Sequence, residues 1–192
     1  FKPLGMIDSC SVPSDFEIHP GMATLHVPMQ TGGYRRGVFP SEEVRGEGGI
    51  ISTIDDMLRW MAHLRGQKTV GSAESWQQLI SRTRLHDGEE IEYCLGLLRG
   101  IYRGVEVIHH AGGVVGGLCQ MLTVPGHALD IIIITNGAQA NPAELAHRVI
   151  DIVLGDERLG PPVERLKVED GTPILGRYQA AGSGLIFDLA NV

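Results

Sequence analysis

The chain has 192 residues, of which 43% are hydrophobic and 20% are charged. This composition is typical of a globular chain that buries one sizeable core, and it excludes the disordered, collagen-like and disulfide-scaffold classes. Sixteen Lys and Arg against twenty-three Asp and Glu give a net charge of −7, so nucleic acid is not an expected partner, and the longest apolar runs are too short to span a bilayer.

The first 49 residues are rich in Gly and Pro and show little hydrophobic periodicity. They predict irregular structure with one short strand around residues 22–27. The chain starts at Phe1 without a charged segment leading into an apolar run, which is typical neither of a native start nor of a signal peptide. We therefore expect a piece of a longer polypeptide. The three widely spaced cysteines indicate neither a disulfide framework nor a zinc site, so the compartment stays open.

Two helices are predicted within residues 52–80. Ser52 and Thr53 each precede a carboxylate by three residues, a pattern that caps a helix N-terminus. Apolar residues then recur at helical spacing up to Gly66, where a left-handed glycine would end the helix. Ser72 is a second candidate cap, and it is followed by apolar residues at positions 76, 79 and 80.

Residues 91–137 change to strands separated by glycine-rich turns. Four apolar, β-branched segments lie between these turns: Tyr93–Leu98, Val105–His110, Leu118–Val124 and Leu129–Thr135. Their short connections predict antiparallel neighbours. Asn141, followed by Pro142 and Glu144, then predicts the start of a helix that runs to Gly155.

Residues 156–192 predict a linker followed by the start of a second domain. Residues 156–172 are charged and contain a Pro-Pro pair, which is typical of a linker. Residues 173–192 contain two short apolar segments around a glycine-rich turn. Because one hairpin alone is marginally stable in water, we expect residues 173–192 to begin a β-rich domain that the chain does not complete.

The most informative residues follow the second predicted strand, at His109-His110-Ala111-Gly112-Gly113. Neighbouring side chains on a strand point to opposite faces, so the two imidazoles are not expected to share one ligand or one metal. One interpretation is a partly exposed histidine at a strand end, with the glycines serving a turn or a bulge. The other is that the glycines leave the backbone bare, so that a substrate approaches closely and an N–H binds an oxyanion.

Five short motifs occur in a recognisable order along the chain: PLGM at 3–6, GEGGIIST at 46–53 with Asp56, YCLG at 93–96, HAGG at 110–113 and TNG at 135–137. Together they resemble the serine β-lactamase-like, penicillin-recognising hydrolases, which include class C β-lactamases, D-aminopeptidases and related esterases. The resemblance covers residues 1–155 and implies the C-terminal portion of the catalytic domain. It implies an α+β fold, with an antiparallel sheet flanked by helices, that is incomplete in this chain.

In that family three motifs meet in one cleft: Ser-x-x-Lys with the acylated serine, Tyr-x-Asn for proton transfer, and Lys-Thr-Gly or His-x-Gly on an edge strand. Here only the third is present, because no lysine follows a serine at that spacing and no tyrosine precedes an asparagine by two residues. The resemblance implies that His110, Ala111 and Gly112 contact substrate and that the Gly113 N–H helps to hold the oxyanion. A chain without the nucleophile is expected to be inactive by itself.

The substrate expectation follows from two departures from the Lys-Thr-Gly pattern. An imidazole carries less positive charge at neutral pH than an ammonium group, and Ala111 lacks a hydroxyl that could bind a substrate carboxylate. We therefore expect D-amino acid amides, short D-peptides or esters to be preferred over penicillins. The alternative is a non-catalytic binding or interaction module of the same fold.

The resemblance to serine hydrolases implies that no metal or organic cofactor is required. A metal-dependent hydrolase is not favoured, because the eight histidines form no H-x-H or H-x-x-x-H set. The expected partners are a small-molecule substrate and the missing N-terminal half of the parent chain. A truncated sheet exposes apolar surface, so association with a second copy is also expected.

Overall fold

The computed structural model describes residues 1–12, 14, 17–38, 48–66, 69–162, 176–179 and 186–189. Within them the α-helices are α1 (Ile54–Arg65), α2 (Ala73–Leu79) and α3 (Pro142–Leu154). The strands are β1 (Cys10–Ser11), β2 (His26–Pro28), β3 (Tyr34–Arg36), β4 (Ile50–Ile51), β5 (Thr83–Arg84), β6 (Glu90–Ile91), β7 (Leu98–Tyr102), β8 (Val105–Val114), β9 (Gly117–Val124), β10 (Leu129–Thr135), β11 (Gly176–Gln179) and β12 (Ile186–Leu189). The chain divides into two compact units, Phe1–Pro161 and Pro162–Val192.

A four-stranded antiparallel sheet in the order β10-β9-β8-β7 organises the first unit. Short turns join its strands, as the glycine-rich connections predicted, and the predicted α+β class with an antiparallel sheet flanked by helices is confirmed. The small pairs β1–β4, β2–β3 and β5–β6 surround it.

The two faces of this sheet pack against different helices. On one face Val107, Leu122 and Ile131 form a core with Ala146 and Ile150 of α3. On the other face Ile108 packs against Leu64 of α1 and Trp76 of α2. Alternation along β8 therefore directs His110 toward the side of α1 and α2, and His109 toward the side of α3.

The predicted helix starts agree with the observed caps. The Asp56 N–H donates to Thr53 Oγ1 over 3.3 Å, Ser72 and Ser75 form a capping box, and the Glu144 N–H donates to Asn141 Oδ1 over 3.2 Å. The predicted left-handed end of α1 is wrong, because Gly66 has an extended φ of −165°.

The predicted strand at Tyr93–Leu98 is also wrong in its position. Tyr93 and Leu98 face each other across a turn in which Gly96 has a φ of +79° and the Cys94 N–H donates to the Leu97 carbonyl. The regular strand is β7, which begins where the predicted one ends. Because the chain reverses its direction at Gly96, residues 93–98 do not form one continuous strand.

The first unit extends past residue 155. Leu159 is buried in the core beside α3, and the Gly160 N–H donates to the Arg103 carbonyl. In the second unit β11 and β12 form an antiparallel pair that places Gly176 opposite Leu189. Residues 39–47 of the predicted irregular segment and residues 163–172 of the predicted linker lie outside the described residues. Across the described ranges, no helix is both long and apolar enough to cross a membrane.

Candidate active site

Among the described strands, the C-terminal half of β8 pairs with a neighbour on one side. Its partner β7 begins at Leu98, which lies opposite His109, so residues 110–114 extend beyond the end of β7. On the other side β9 continues to pair with β8 up to Val114 and Gly117. The glycines at 112 and 113 therefore continue a strand instead of ending it, and they do so along an open sheet edge.

The register determines which backbone N–H groups point to this edge. A two-residue turn joins Val114 to Gly117, so that pair must exchange hydrogen bonds, and such pairs alternate along an antiparallel ladder. Gly112 consequently bonds to β9, whereas the N–H groups of Ala111 and Gly113 point away from it. No described residue accepts a hydrogen bond from either of these two groups.

A cavity of about 450 Å³ extends from this edge across β8, β9 and β10. All four residues of the HAGG motif, His110 to Gly113, line it. Further lining residues are Ile50 and Ser52 from the segment that leads into α1, Met57 of α1 itself and Leu25 just before β2. The structure therefore brings the predicted site residues together at one hollow.

Both ring nitrogens of His110 have a partner. Nδ1 lies 2.6 Å from the Ala111 carbonyl oxygen, and because a carbonyl only accepts, Nδ1 carries the proton. Nε2 lies 3.4 Å from the Tyr93 hydroxyl. In the neutral ring Nε2 is then the acceptor, and Tyr93 donates to it.

Cys119 explains why position 112 is a glycine. It pairs with Gly112 across β8 and β9, and a Cβ at position 112 would lie 2.5 Å from Cys119 Sγ. Burial raises the pKa of the Cys119 thiol, so the group is a neutral, apolar part of the cavity wall at neutral pH.

His109 lies on the other face of the sheet and belongs to a separate polar group. Its Nδ1 accepts from Gln120 Nε2 over 3.2 Å. Burial, followed by the nearby His147, lowers the pKa of the His109 imidazole. The neighbouring His147 ring stacks on Tyr102 with centroids 4.1 Å apart. The side chains of the adjacent histidines 109 and 110 thus lie in different surroundings, on opposite faces of the sheet.

A fully buried carboxylate holds the cavity wall that carries Ser52. Asp56, which is 0% exposed, accepts from the Asp8 N–H, the Ser9 hydroxyl and Arg59 Nη1 at 2.7–2.8 Å. The Ser9 hydroxyl also lies 2.8 Å from the Ser52 hydroxyl. The sequence pattern predicts Asp56 in a helix cap, whereas its bonds to residues 8 and 9 depend on the tertiary structure.

The TNG motif holds the other end of the cavity. Thr135 Oγ1 donates to the Leu118 carbonyl over 3.2 Å, and the His26 N–H donates to the Asn136 carbonyl over 3.0 Å. These bonds fasten β2 to the end of β10 and place Leu25 beside Gly117. Among the residues that the structure describes, no three His, Cys, Asp or Glu side chains converge as a metal site.

Comparisons with known proteins point in one direction. A model of the beta-lactamase family matches residues 1–154. The unguisins hydrolase of Aspergillus violaceofuscus is 26% identical over 142 residues, which are 64% of this chain and 25% of that protein.

Two solved structures show the same fold. The octameric penicillin-binding protein homologue from Pyrococcus abyssi superposes with a TM-score of 0.69 at 19% identity, over 82% of this chain and 37% of that one. The D-amino acid amidase from Ochrobactrum anthropi SV3 gives a TM-score of 0.60 at 17% identity, over 82% of this chain and 49% of that one. The chain therefore spans a quarter to a half of the length of these relatives.

Proposed function

Because this chain belongs to the beta-lactamase family, we propose that it forms the oxyanion-binding wall of a serine hydrolase that works through an acyl-enzyme. The nucleophile lies in polypeptide outside these 192 residues. The substrates are D-amino acid amides, short D-peptides or esters, in preference to β-lactams. The D-amino acid amidase among the structural neighbours supports this class of substrate.

The open edge of β8 is the observation that carries the proposal. An oxyanion is stabilised by N–H donors that are already oriented toward it and have no other acceptor. The Gly113 N–H meets this requirement within the described residues, and it borders a cavity large enough for a small acyl group. Loss of one such donor typically costs about 10²–10³ in kcat.

The other residues of the motif shape the substrate side. Gly112 keeps the strand bare because Cys119 already occupies the space of a side chain. His110 presents an imidazole to the cavity where a lysine would present a full charge. Ala111 offers no hydroxyl. An anionic carboxylate next to the scissile bond therefore gains less here than beside Lys-Thr-Gly.

The chain by itself is proposed to be inactive. Acyl transfer in two steps needs a hydroxyl activated by a neighbouring base. The lysines at 2, 68 and 167 have no serine three residues before them, so the 192 residues contain no Ser-x-x-Lys.

The test is to assay the longer polypeptide that contains this chain against D-alanine amide, a short ester and benzylpenicillin. We expect a higher kcat/KM for the amide or the ester than for the penicillin, and no turnover by the 192 residues alone. His110→Lys is expected to raise the relative rate on penicillin, whereas His127→Lys, on an exposed turn at the opposite end of β9, is the matched control.

Two results would contradict the proposal. A longer polypeptide that prefers penicillin would overturn the substrate class. A longer polypeptide without Ser-x-x-Lys, which binds the amides without turnover, would indicate a non-catalytic binding module.

A further inference from the structure

We propose that Tyr93 is a positioning residue for His110: its hydroxyl holds the neutral imidazole in the form that is protonated on Nδ1 and accepts at Nε2. This inference rests on the proposed function only in assigning His110 to the substrate cavity. The orientation of the ring is a property of the chain itself.

The contact between the two side chains has a defined geometry. The rings meet edge to face, with centroids 6.0 Å apart and an interplanar angle of 74°. The Tyr93 hydroxyl lies 3.4 Å from His110 Nε2, while Nδ1 donates to the Ala111 carbonyl. The imidazole is thus held at both nitrogens. Because the Ala111 carbonyl only accepts, Nδ1 carries the proton, and the Tyr93 hydroxyl donates to Nε2 of that form.

The backbone fixes the place of Tyr93. Its carbonyl accepts from the Thr83 N–H over 3.0 Å, and the residue faces Leu98 across the turn at Gly96. Leu98 in turn lies opposite His109 in the sheet. This chain of contacts places the Tyr93 ring beside the strand that carries His110, where it is 44% exposed.

A second pair in the same molecule isolates the role of the hydroxyl. Tyr34 and His26 also meet edge to face with centroids 6.0 Å apart, at 81°, and His26 Nδ1 also lies 3.0 Å from a carbonyl, that of Asn136. The Tyr34 hydroxyl, however, donates to Gln139 Oε1. In both pairs the rings meet edge to face and Nδ1 of the histidine lies close to a backbone carbonyl. They differ in the hydrogen-bond partner of the tyrosine hydroxyl, which is Nε2 of His110 for Tyr93 and Gln139 for Tyr34.

The consequence concerns the atom that His110 offers to the cavity. With Nδ1 protonated and bound to its own backbone, Nε2 is the acceptor of the neutral ring. A hydroxyl or amide N–H that replaces Tyr93 at Nε2 therefore meets an acceptor. Without the Tyr93 hydroxyl only the bond from Nδ1 to the Ala111 carbonyl opposes rotation of the ring about its bond to Cβ and movement of the proton to Nε2.

The experiment is ¹⁵N NMR of the histidine rings of the 192-residue chain, at a pH where the rings are neutral. We expect the Nδ1–H form of His110 to predominate in the unmodified chain. In Tyr93→Phe, which keeps the ring contact, the ratio of Nδ1–H to Nε2–H is expected to fall roughly two- to tenfold, the change that one net hydrogen bond produces. Tyr34→Phe is expected to leave the ratio at His26 unchanged.

Two outcomes would overturn the inference. One is an Nε2–H form that predominates at His110 in the unmodified chain, a result that does not depend on whether the variant folds. The other is an unchanged ratio in a folded Tyr93→Phe. A longer polypeptide that hydrolyses none of the substrates would contradict the proposed function and leave the tautomer result as it stands.

Discussion

The pairing register directs the Gly113 N–H away from β9, toward the side where no described strand pairs with it, and this makes its contribution separable from the fold. Its N–H takes no part in the ladder with β9, so Gly113→Pro removes the donor at an edge position where proline is tolerated. In the longer polypeptide we expect kcat to fall by about 10²–10³ with little change in KM. Steady-state kinetics on the preferred amide measures both constants.

The matched control is Gly113→Ala, which keeps the N–H. A Cβ at this position lies 3.3 Å from Leu118 Cδ2, the far end of a flexible side chain, so a small adjustment accommodates it. We expect most of the activity to remain. Equal losses in the two variants would show that the shape of the strand, and not the donor, is what matters.

Asp56 is the residue whose loss should cost most stability near the cavity. Its carboxylate is fully buried and accepts three hydrogen bonds, two from residues 8 and 9 and one from Arg59. Asp56→Ala leaves these donors unsatisfied, and we expect the free energy of unfolding to fall by about 3 kcal/mol. Urea denaturation measures it.

Asp55 provides the comparison for this substitution, because it lies in the same first turn of α1 and is exposed. Asp55→Ala loses only the favourable charge near the helix N-terminus and is expected to cost less than about 1 kcal/mol. If both alanine variants cost the same, the buried bonds of Asp56 contribute nothing beyond that charge.

At the scale of elements, sequence patterns predict the features that depend only on residues near each other in the chain. The caps at Thr53, Ser72 and Asn141 and the glycine-rich turns between strands act within a few residues, and the structure has all of them. The ends of β7 and β8 depend on pairing with other strands. For this reason β7 begins only at Leu98, whereas the sequence predicts a strand over Tyr93–Leu98, and β8 continues through Gly112 and Gly113.

The candidate site follows the same division. The sequence predicts a site at the HAGG motif because its residues are adjacent, and the structure places all four residues at one cavity. Cys119, Tyr93 and Asp56 act on this region through contacts that are formed by register and packing. The spacing of residues along the sequence does not predict that Cys119 Sγ occupies the space of a side chain at position 112.

The contact between α3 and the sheet predicts a pH dependence. Burial lowers the pKa of both His109 and His147, and His147 also lies near Asp151, which acts in the opposite direction. In the unfolded chain both imidazoles return to about 6.5, so below that pH the unfolded state binds more protons than the folded state. The stability from these groups is present above about pH 6.5 and is lost as the pH falls through the lowered values.

The measurement is the urea midpoint at about pH 7.5 and about pH 5. We expect the decrease on acidification to be smaller in a variant with His109→Gln and His147→Gln than in the unmodified chain. His127→Gln replaces an exposed histidine on the turn after β9 and should retain the full decrease. An identical decrease in all three chains would assign the acid sensitivity to other groups.

At the scale of the whole molecule, the two faces of the sheet are covered to different extents. The face toward α3 has a continuous core that includes Ile150 and Leu154. On the side of α1, Ile50, Ile54 and Ile134 remain 53%, 51% and 48% exposed. Exposed apolar residues that lie together on one side are typical of a surface that contacts another chain or another part of the same polypeptide.

We therefore expect the 192 residues by themselves to self-associate through the side of α1. Ile54 and Leu58 lie one turn apart on that helix and are both exposed. A variant with Ile54→Glu and Leu58→Glu should shift the chain toward monomer, because burying two carboxylates in an apolar contact is unfavourable. Sedimentation velocity over a range of concentrations measures the shift.

Ile152→Glu is the control, since Ile152 is 82% exposed on α3 and its substitution should leave association unchanged. A chain that sediments as a monomer at every concentration, or one that Ile152→Glu dissociates, would show that the exposed residues of α1 do not form the contact.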